Sequence, residues 1–278
     1  TLNLQTPRGV LRIYNDLDSN LYNMMYCVRE KPVSVITELK YMQNSREEFE
    51  TMLRTLKDKD FAGKDLAEEL ELAQISFPPV QAEEISAMLM QRAIPPDARR
   101  AAMFFLLHNL SYNGLGTEFA ALDRDWDRFQ HQITGCARIL QHIPMENRSY
   151  KEILSKYDAT DTVFYCDPPY LGAEKYGVPF YRSDHQELHD MLATRKSFVI
   201  VSYNKKDEIK ELYHDFFIFE VDRPNSMSKK KEDRYEEYIM TNYDPSMFAP
   251  QISFFNNYDN GKKACTLVHT PQYPLKEK

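Results

Sequence analysis

Long hydrophobic runs are absent from this chain of 278 residues. No apolar stretch approaches the roughly 20 residues that a transmembrane helix needs. The mean hydropathy is −0.59. The N-terminal residues also lack the charged-then-apolar pattern of a secretory signal. We therefore expect a protein without a membrane span, located in the cytoplasm.

Cysteine and glycine are both scarce, with four and eight residues respectively. The cysteines are scattered and form no C-x-x-C pair, which excludes a disulfide scaffold and argues against a zinc cluster. His185 and His189 have the i, i+4 spacing of metal ligands, but no third ligand is evident. We expect free thiols and no metal site.

Charge is close to balanced, with 35 Lys and Arg against 42 Asp and Glu, a formal net charge of −7. Hydrophobic residues make up 42% of the chain, as in ordinary folded proteins, and the length suits one large or two smaller domains. The net negative charge argues weakly against a protein that coats nucleic acid non-specifically. It does not exclude an enzyme that acts on DNA, because DNA binding depends on where the basic residues lie.

The first half of the chain is predicted to be mostly helical. Val10–Tyr14 is typical of a strand, Asn15-Asp16 of a turn, and Asn20–Val28 of a helix. Further helices are predicted by apolar residues at three- and four-residue spacing, over Arg46–Leu56, Asp65–Ile75, Val80–Ala93, Asp97–Asn109 and Arg124–Ile143.

The second half alternates strands and helices. Short apolar runs predict strands, of buried type for the first two, at Thr162–Cys166, Ser197–Ser202, Phe216–Val221, Glu237–Thr241 and Cys265–His269. Helices are predicted over Ser183–Leu192, with Ser183 as N-cap, and over Lys206–Leu212. The alternation predicts an α/β fold with a mainly parallel sheet and helices on both faces.

Asp167-Pro168-Pro169-Tyr170 is the sharpest local pattern, and it directly follows a predicted strand. Ligands of open α/β sheets bind at the carboxyl ends of strands. The Asp carboxylate and the Pro168 carbonyl can accept the two N–H groups of an aromatic amine, and the Tyr170 ring can stack on its plane. A rigid turn is the structural alternative, since Asp and Pro are common turn residues.

Asp16 is a candidate for binding the ribose of a nucleotide-like cofactor, because it follows the first predicted strand. An Asp in that place also serves as a turn former or helix cap. Together, Asp16 and Asp167 suggest a cofactor with a ribose and a substrate with an amine.

The chain resembles Dam-type DNA adenine-N6 methyltransferases, which use S-adenosylmethionine, over most of its length. The segments that carry the resemblance are Ile13–Asp18, Asn109–Gly114, Val163–Tyr170, Asp184–Leu188, Val201–Asn204 and Glu237–Tyr243. The resemblance implies a Rossmann-like methyltransferase sheet with a mostly helical target-recognition insertion. Residues 1–42 and 151–278 would form the catalytic domain and residues 43–150 the DNA target-recognition domain.

The chain differs from the family in the segments that contact the cofactor. The family has a Lys-containing Gly-rich segment and a Phe-x-Gly-x-Gly turn before the position of Asn15, and neither occurs here. We expect that roughly the first 30–40 residues, about one βα unit, are missing from this chain. The alternative is that the protein has lost them.

Five residues are candidates for contact with DNA. Lys229, Lys230 and Lys231 are predicted to contact phosphates, with a solvated loop as the alternative. Tyr112 and Asn113 resemble the family's aromatic-Asn-Gly stretch and are equally consistent with a plain turn.

The resulting expectation is a site-specific enzyme that methylates N6 of an adenine flipped out of duplex DNA. Asp167, Pro168, Pro169 and Tyr170 would be catalytic, and Asp16 and Asp167 would bind S-adenosylmethionine. We expect a monomer or weak dimer with a cognate restriction enzyme as partner. Two alternatives stay open: a catalytically impaired DNA-binding relative, and a methyltransferase that acts on another planar amine, in RNA or a protein amide.

Overall fold

The structure is a computed structural model that describes residues 10–57, 70–93, 97–114, 116–120, 125–172, 180–224, 234–248, 258–259, 262–263, 265–272 and 275. The chain divides into two compact units, Thr1–Arg148 and Ser149–Lys278. Within the described ranges, no helix has the length and apolar character needed to cross a membrane.

The first unit is mostly helical, as predicted. Its helices are α1 Ser19–Glu30, α2 Pro32–Tyr41, α3 Arg46–Lys57, α4 Pro79–Ala93, α5 Ala98–Asn109 and α6 Trp126–Leu140. Residues 70–76 are also helical, whereas 65–69 of the helix predicted there lie outside the described residues. Helix α2 had no counterpart among the predicted elements.

Aspartates cap the N-termini of helices α1, α5 and α6. Asp18 accepts hydrogen bonds from the N–H groups of Asn20 and Leu21 at the start of α1. Asp97 and Asp125 cap α5 and α6 in the same way. A carboxylate at this position satisfies N–H groups that the helix leaves unpaired and interacts favourably with its positive end.

The core of the first unit brings α1, α2, α3, α5 and α6 together. Its fully buried side chains include Leu39, Met52, Leu106 and Ile133. Each such side chain stabilises the fold by about 1.5–3 kcal/mol through removal from water. The helices therefore associate through the apolar face that their spacing predicted.

The first predicted strand is much shorter than expected. The sequence predicts a strand over Val10–Tyr14, but β1 comprises only Tyr14–Asn15, paired in parallel with β2, Met145–Glu146. Val10 and Leu11 are exposed. Strand propensity alone does not make a strand without a partner to complete the hydrogen bonds, and the described residues supply one only for these two positions.

The second unit holds a five-stranded sheet with flanking helices. Its elements are α7 Tyr150–Lys156, β3 Val163–Cys166, α8 Arg182–Ala193, β4 Phe198–Asn204, α9 Asp207–Leu212, β5 Phe217–Pro224, β6 Arg234–Thr241, β7 Tyr258–Asp259, β8 Lys262–Lys263 and β9 Cys265–His269. The strand order is β3-β4-β6-β5-β9, and β7 and β8 form a separate two-stranded pair. The five predicted strands of this half are all present.

The sheet is mostly antiparallel, so the prediction of a mainly parallel sheet is wrong. Strands β3 and β4 pair in parallel, whereas β4 with β6, β5 with β6 and β5 with β9 are antiparallel. A parallel pair needs a crossover, which α8 provides between β3 and β4. The sequence between β5 and β6 carries no helical pattern, and successive strands joined directly pair antiparallel. The coarser expectation of a mixed α/β fold is confirmed.

Two local expectations in this unit are also wrong. Strand β3 is not buried on both faces: Val163 is 59% and Tyr165 44% exposed, whereas Phe164 and Cys166 on the opposite face pack against the core of the unit. Helix α8 is not capped by Ser183: it begins at Arg182, and Tyr181 N–H donates to Asp184 Oδ2 at 2.6 Å. Asp184 is thus the side chain that accepts from the backbone at the start of this helix.

Asn242 joins the end of β6 to the start of β4. The side chain is 1% exposed. Its Oδ1 accepts from Val199 N–H at 2.9 Å, and its Nδ2 donates to Ser197 O at 3.1 Å.

We expect Asn242→Ala to lower the free energy of unfolding by about 2–4 kcal/mol, since each buried polar group left unpaired costs about 1–3 kcal/mol. Urea unfolding measures the change. The control is Gln186→Leu, which removes an exposed amide bonded to Asp190, with an expected change under about 0.5 kcal/mol. Equal stability of the two variants would contradict the bridging role of Asn242.

Candidate active site and nucleic-acid contacts

Asp167 lies directly beyond the carboxyl end of β3, beside the parallel strand β4. The register pairs Cys166 with Val201, so the next residue of β4, Ser202, is adjacent to Asp167. Ser202 Oγ donates to Asp167 Oδ1 at 2.9 Å. Asp167 is exposed whereas Ser202 is 4% exposed. The Asp167 carboxylate is therefore exposed to solvent, and the buried Ser202 hydroxyl donates a hydrogen bond to it.

Ser202 is bonded on its other side as well. Tyr165 Oη donates to Ser202 Oγ at 3.3 Å. Ser202 Oγ also lies 3.4 Å from the Cys166 carbonyl oxygen. The Ser202 hydroxyl thus connects Tyr165 to Asp167 through two hydrogen bonds.

Tyr170 is hydrogen-bonded to β6, the second strand from β3 in the sheet. Its Oη donates to Glu237 Oε1 at 3.1 Å. Burial raises the pKa of Tyr170, and the charges of Asp167 and Glu237 raise it further. The phenol consequently stays protonated at physiological pH and remains a donor, so the ring has a fixed anchor at its polar tip.

The backbone that follows Tyr170 is tied to the end of β4. Lys206 Nζ donates to Leu171 O at 2.8 Å, and Asn204 Nδ2 donates to the same oxygen at 3.4 Å. Gly172 has a φ of 81°, which an L side chain rarely adopts. Pro168 and Pro169 are half-buried and remove two backbone donors from the loop.

Cys166, the residue before Asp167, is not a nucleophile. Burial raises the pKa of the Cys166 thiol to about 12, with a further contribution from the charge of Asp167. Because the thiolate is the reactive form, this side chain is inert at physiological pH. The chemistry of the loop is that of a carboxylate, two prolines and an aromatic ring.

Both histidines with metal-ligand spacing have partners within the protein. His185 Nδ1 is 2.8 Å from Tyr203 Oη. His189 contacts Asp190 Oδ1 at 2.9 Å and Asp215 Oδ1 at 2.8 Å through its two ring nitrogens. These contacts join α8 to neighbouring elements of the second unit.

Asp16, in the first unit, forms the turn after β1. Its Oδ1 accepts from Asp18 N–H at 2.8 Å, and its Oδ2 accepts from Tyr14 Oη at 3.3 Å. Burial raises the pKa of Asp16, and the hydrogen bond from Asp18 opposes the rise. The cap of α1 is Asp18, so Asp16 is a turn former. A carboxylate oxygen accepts more than one bond, so hydroxyl groups of a ligand can still be received.

Tyr112 lies at a turn after α5, also in the first unit. Tyr112 N–H donates to Glu118 O at 2.9 Å, and Gly116 N–H donates to Ser111 Oγ at 2.7 Å. The Tyr112 side chain is 57% exposed. The loop thus presents an aromatic side chain to solvent from a closed turn.

The other candidates for DNA contact are described less fully. Asn113 belongs to the 3₁₀ turn Tyr112–Gly114, and its side chain lies outside the described residues. Lys229, Lys230 and Lys231 all lie outside the described residues, in the sequence between β5 and β6.

Sequence reasoning missed two residues that the sheet brings to the loop, Ser202 and Glu237. Both lie in segments that carried the family resemblance, but no role was assigned to either. A register argument could have found Ser202, because a serine at the end of the parallel partner strand lies next to the first residue of the loop.

Comparison with known families gives a match to a model described as D12 class N6 adenine-specific DNA methyltransferase, over residues 3–227. The match spans most of the chain and contains both the Asp16 turn and the loop from Asp167 to Tyr170. No curated protein matches the chain.

Proposed function

The chain belongs to the D12 class N6 adenine-specific DNA methyltransferase family, and we propose that it transfers a methyl group from S-adenosylmethionine to N6 of an adenine flipped out of duplex DNA. The observation that carries this proposal is the loop after β3. There a carboxylate is fixed by Ser202 and an aromatic ring by Glu237, at adjacent strand ends.

Asp167 makes the amine nucleophilic. The lone pair of adenine N6 is delocalised into the ring, so the amine reacts poorly on its own. When Asp167 and the Pro168 carbonyl accept its two N–H groups, electron density returns to nitrogen and the geometry becomes tetrahedral. The attack then gains from proximity and from a fixed charge beside the reacting atom.

The bonds formed and broken in methyl transfer, and the proton released, can all be accounted for. S-adenosylmethionine, when bound, supplies an electrophilic methyl group on a sulfonium. A bond forms between N6 and the methyl carbon as the carbon–sulfur bond breaks, and positive charge develops on N6. Asp167 stabilises that charge, and its carboxylate accepts the proton that N6 then releases. Neither a metal nor a covalent enzyme intermediate is required by this balance.

The adenine must be flipped out of the duplex for its N6 to be reached. N6 within the base stack is not open to in-line attack, so the adenine must leave the duplex. Tyr170 stacks on the flipped base, and its bond to Glu237 fixes the ring plane. Tyr112 and Asn113 contact DNA from the first unit, and Lys229–Lys231 contact phosphates from the segment between β5 and β6.

We further propose a Rossmann-like methyltransferase sheet, with residues 1–42 and 151–278 as catalytic domain and 43–150 as target-recognition domain. The domain division rests on the family resemblance, since α1 and α2 share one core with α3, α5 and α6. The sheet is supported by strand direction: β4 and β5 are both antiparallel to β6, so β3, β4 and β5 run the same way with β6 reversed between β4 and β5. Helices α8 and α9 connect these three strands in succession, as in doubly wound folds.

Asp16 has a carboxylate suited to the cofactor ribose, which offers two hydroxyl donors. We expect Asp16→Asn to weaken the binding of S-adenosylmethionine about tenfold, because an amide accepts at one atom only and carries no charge. Calorimetric titration without DNA measures the dissociation constant. Asp127→Asn on the surface of α6 is the control, with no change expected. Equal affinity of Asp16→Asn and the unaltered protein would overturn this assignment.

The substrate class is tested by competition. Labelled S-adenosylmethionine is supplied with equal amounts of unmethylated duplex DNA, duplex RNA and free adenosine, and initial rates of label transfer are compared. The proposal predicts transfer to DNA and little to the others. Preferred transfer to RNA would favour the alternative of another planar amine. Absence of cofactor binding with DNA binding intact would favour the catalytically impaired relative.

A further inference from the structure

We infer that Ser202 is a positioning residue that sets the orientation of the Asp167 carboxylate for catalysis. The inference rests on the proposed function, since it concerns the carboxylate that receives the amine. Its basis is the hydrogen bond from Ser202 Oγ to Asp167 Oδ1 at 2.9 Å, which joins a buried strand residue to an exposed loop residue.

Ser202 is itself firmly placed. It lies on β4, one residue beyond the last position paired with β3, and is paired with Ile239 of the antiparallel strand β6. This pairing restricts its backbone, and burial restricts its side chain. Asp167 is exposed and lies just outside β3. The bond from Ser202 therefore ties a carboxylate of the loop to a buried residue of the sheet.

The direction of the hydrogen bonds supports this role. Tyr165 Oη donates to Ser202 Oγ, so the serine proton is directed away from Tyr165. Of its two acceptors, Asp167 Oδ1 at 2.9 Å is charged and closer than the Cys166 carbonyl at 3.4 Å. A charge-assisted bond of this length is the stronger of the two.

A bond at Oδ1 fixes the plane of the carboxylate, and thereby the direction of Oδ2. The transfer step requires an acceptor aligned with an N–H group of the substrate. Misplacement of a reacting group by about 1 Å costs about a hundredfold in rate. Ser202 therefore contributes to the turnover rate without contacting the substrate.

The test compares Ser202→Ala with Ser202→Thr, which keeps a hydroxyl. We expect Ser202→Ala to lower kcat about tenfold to a hundredfold, with the KM for DNA changed less than about threefold. We expect Ser202→Thr to recover kcat to within about fivefold. Tyr165→Phe should lower kcat less than Ser202→Ala, because it removes only the group that orients the serine.

A pH profile distinguishes positioning from a general structural effect. The hydrogen bond stabilises the charged carboxylate, so its loss raises the pKa of Asp167. The acidic limb of kcat against pH is expected to move to higher pH in Ser202→Ala. Ser155→Ala removes an exposed hydroxyl that bonds to Lys151 O on α7 and is expected to leave kcat and the profile unchanged.

The outcomes separate this inference from the proposed function when the unaltered protein and Asp167→Ala are assayed alongside. Methylation of N6 that requires Asp167, together with an unchanged kcat in a correctly folded Ser202→Ala, would overturn the Ser202 assignment alone. An unchanged acidic limb despite a lowered kcat would also overturn it. No N6 methylation by the unaltered protein would overturn both, because Asp167 would then have no catalytic role. Thermal unfolding of each variant establishes that it is folded.

Discussion

Replacement of Asp167 by alanine is expected to lower kcat for methyl transfer about a thousandfold, because it removes both the N–H acceptor and the negative charge beside N6. Removal of one group that stabilises developing charge costs about 10²–10³ in kcat in comparable sites. Single-turnover transfer from labelled S-adenosylmethionine to unmethylated duplex DNA measures the loss. DNA binding should change little, since the proposed role of Asp167 is in the transition state.

The variant Asp167→Asn tests whether the charge of the Asp167 side chain, rather than its size, is needed for methyl transfer. The amide has nearly the same size and can still bond to Ser202, but it carries no charge to stabilise positive N6. We expect a loss close to that of Asp167→Ala. Asp161→Ala, which alters an exposed carboxylate shortly before β3, is the control and should retain full activity. Asp167→Asn with more than about a third of the normal kcat would show that the charge of Asp167 is not required.

Tyr170→Ala is expected to lower kcat/KM for DNA about a hundredfold. Stacking of a base on an aromatic side chain contributes about 1–3 kcal/mol, which corresponds to factors of about 5 to 150. Because the flipped base would lose its stacking partner, both the affinity for the flipped state and the geometry of attack should suffer. Steady-state kinetics with duplex DNA of mixed sequence give the value.

Tyr170→Phe keeps the ring and loses only the bond to Glu237. We expect it to retain kcat/KM within about tenfold, because one hydrogen bond contributes about 0.5–1.5 kcal/mol, a factor of about 2 to 13. The control is Tyr41→Ala, at an 81% exposed tyrosine of α2, with no expected change. If Tyr170→Phe were as impaired as Tyr170→Ala, the phenol and not the ring would be the functional group.

The parts of the fold that the sequence predicted well depend on local patterns. Helices α1, α5 and α6 follow apolar spacing and begin after Asp18, Asp97 and Asp125, whose capping preference is local. The five strands of the second unit follow short apolar runs. Their pairing was not predictable in the same way, because β6 lies between β4 and β5 and β9 lies beside β5, and which strands become neighbours depends on residues far apart in the sequence.

The parts that the sequence did not predict depend on pairing between distant residues. Ser202 is 35 positions from Asp167, and Glu237 is 67 positions from Tyr170. Each meets its partner only because strands β3, β4 and β6 align in one register. Sequence reasoning could therefore single out the loop after β3 as the candidate site, but not the side chains that are hydrogen-bonded to it.

Methylation of adenine N6 by the loop after β3 is tested most directly by the position of the label. The methylated DNA is digested to nucleosides and the label is located, for the unaltered protein and for Asp167→Ala. We expect label in N6-methyldeoxyadenosine with the unaltered protein and none with the variant. Label in a different nucleoside, or equal labelling by both proteins, would contradict it.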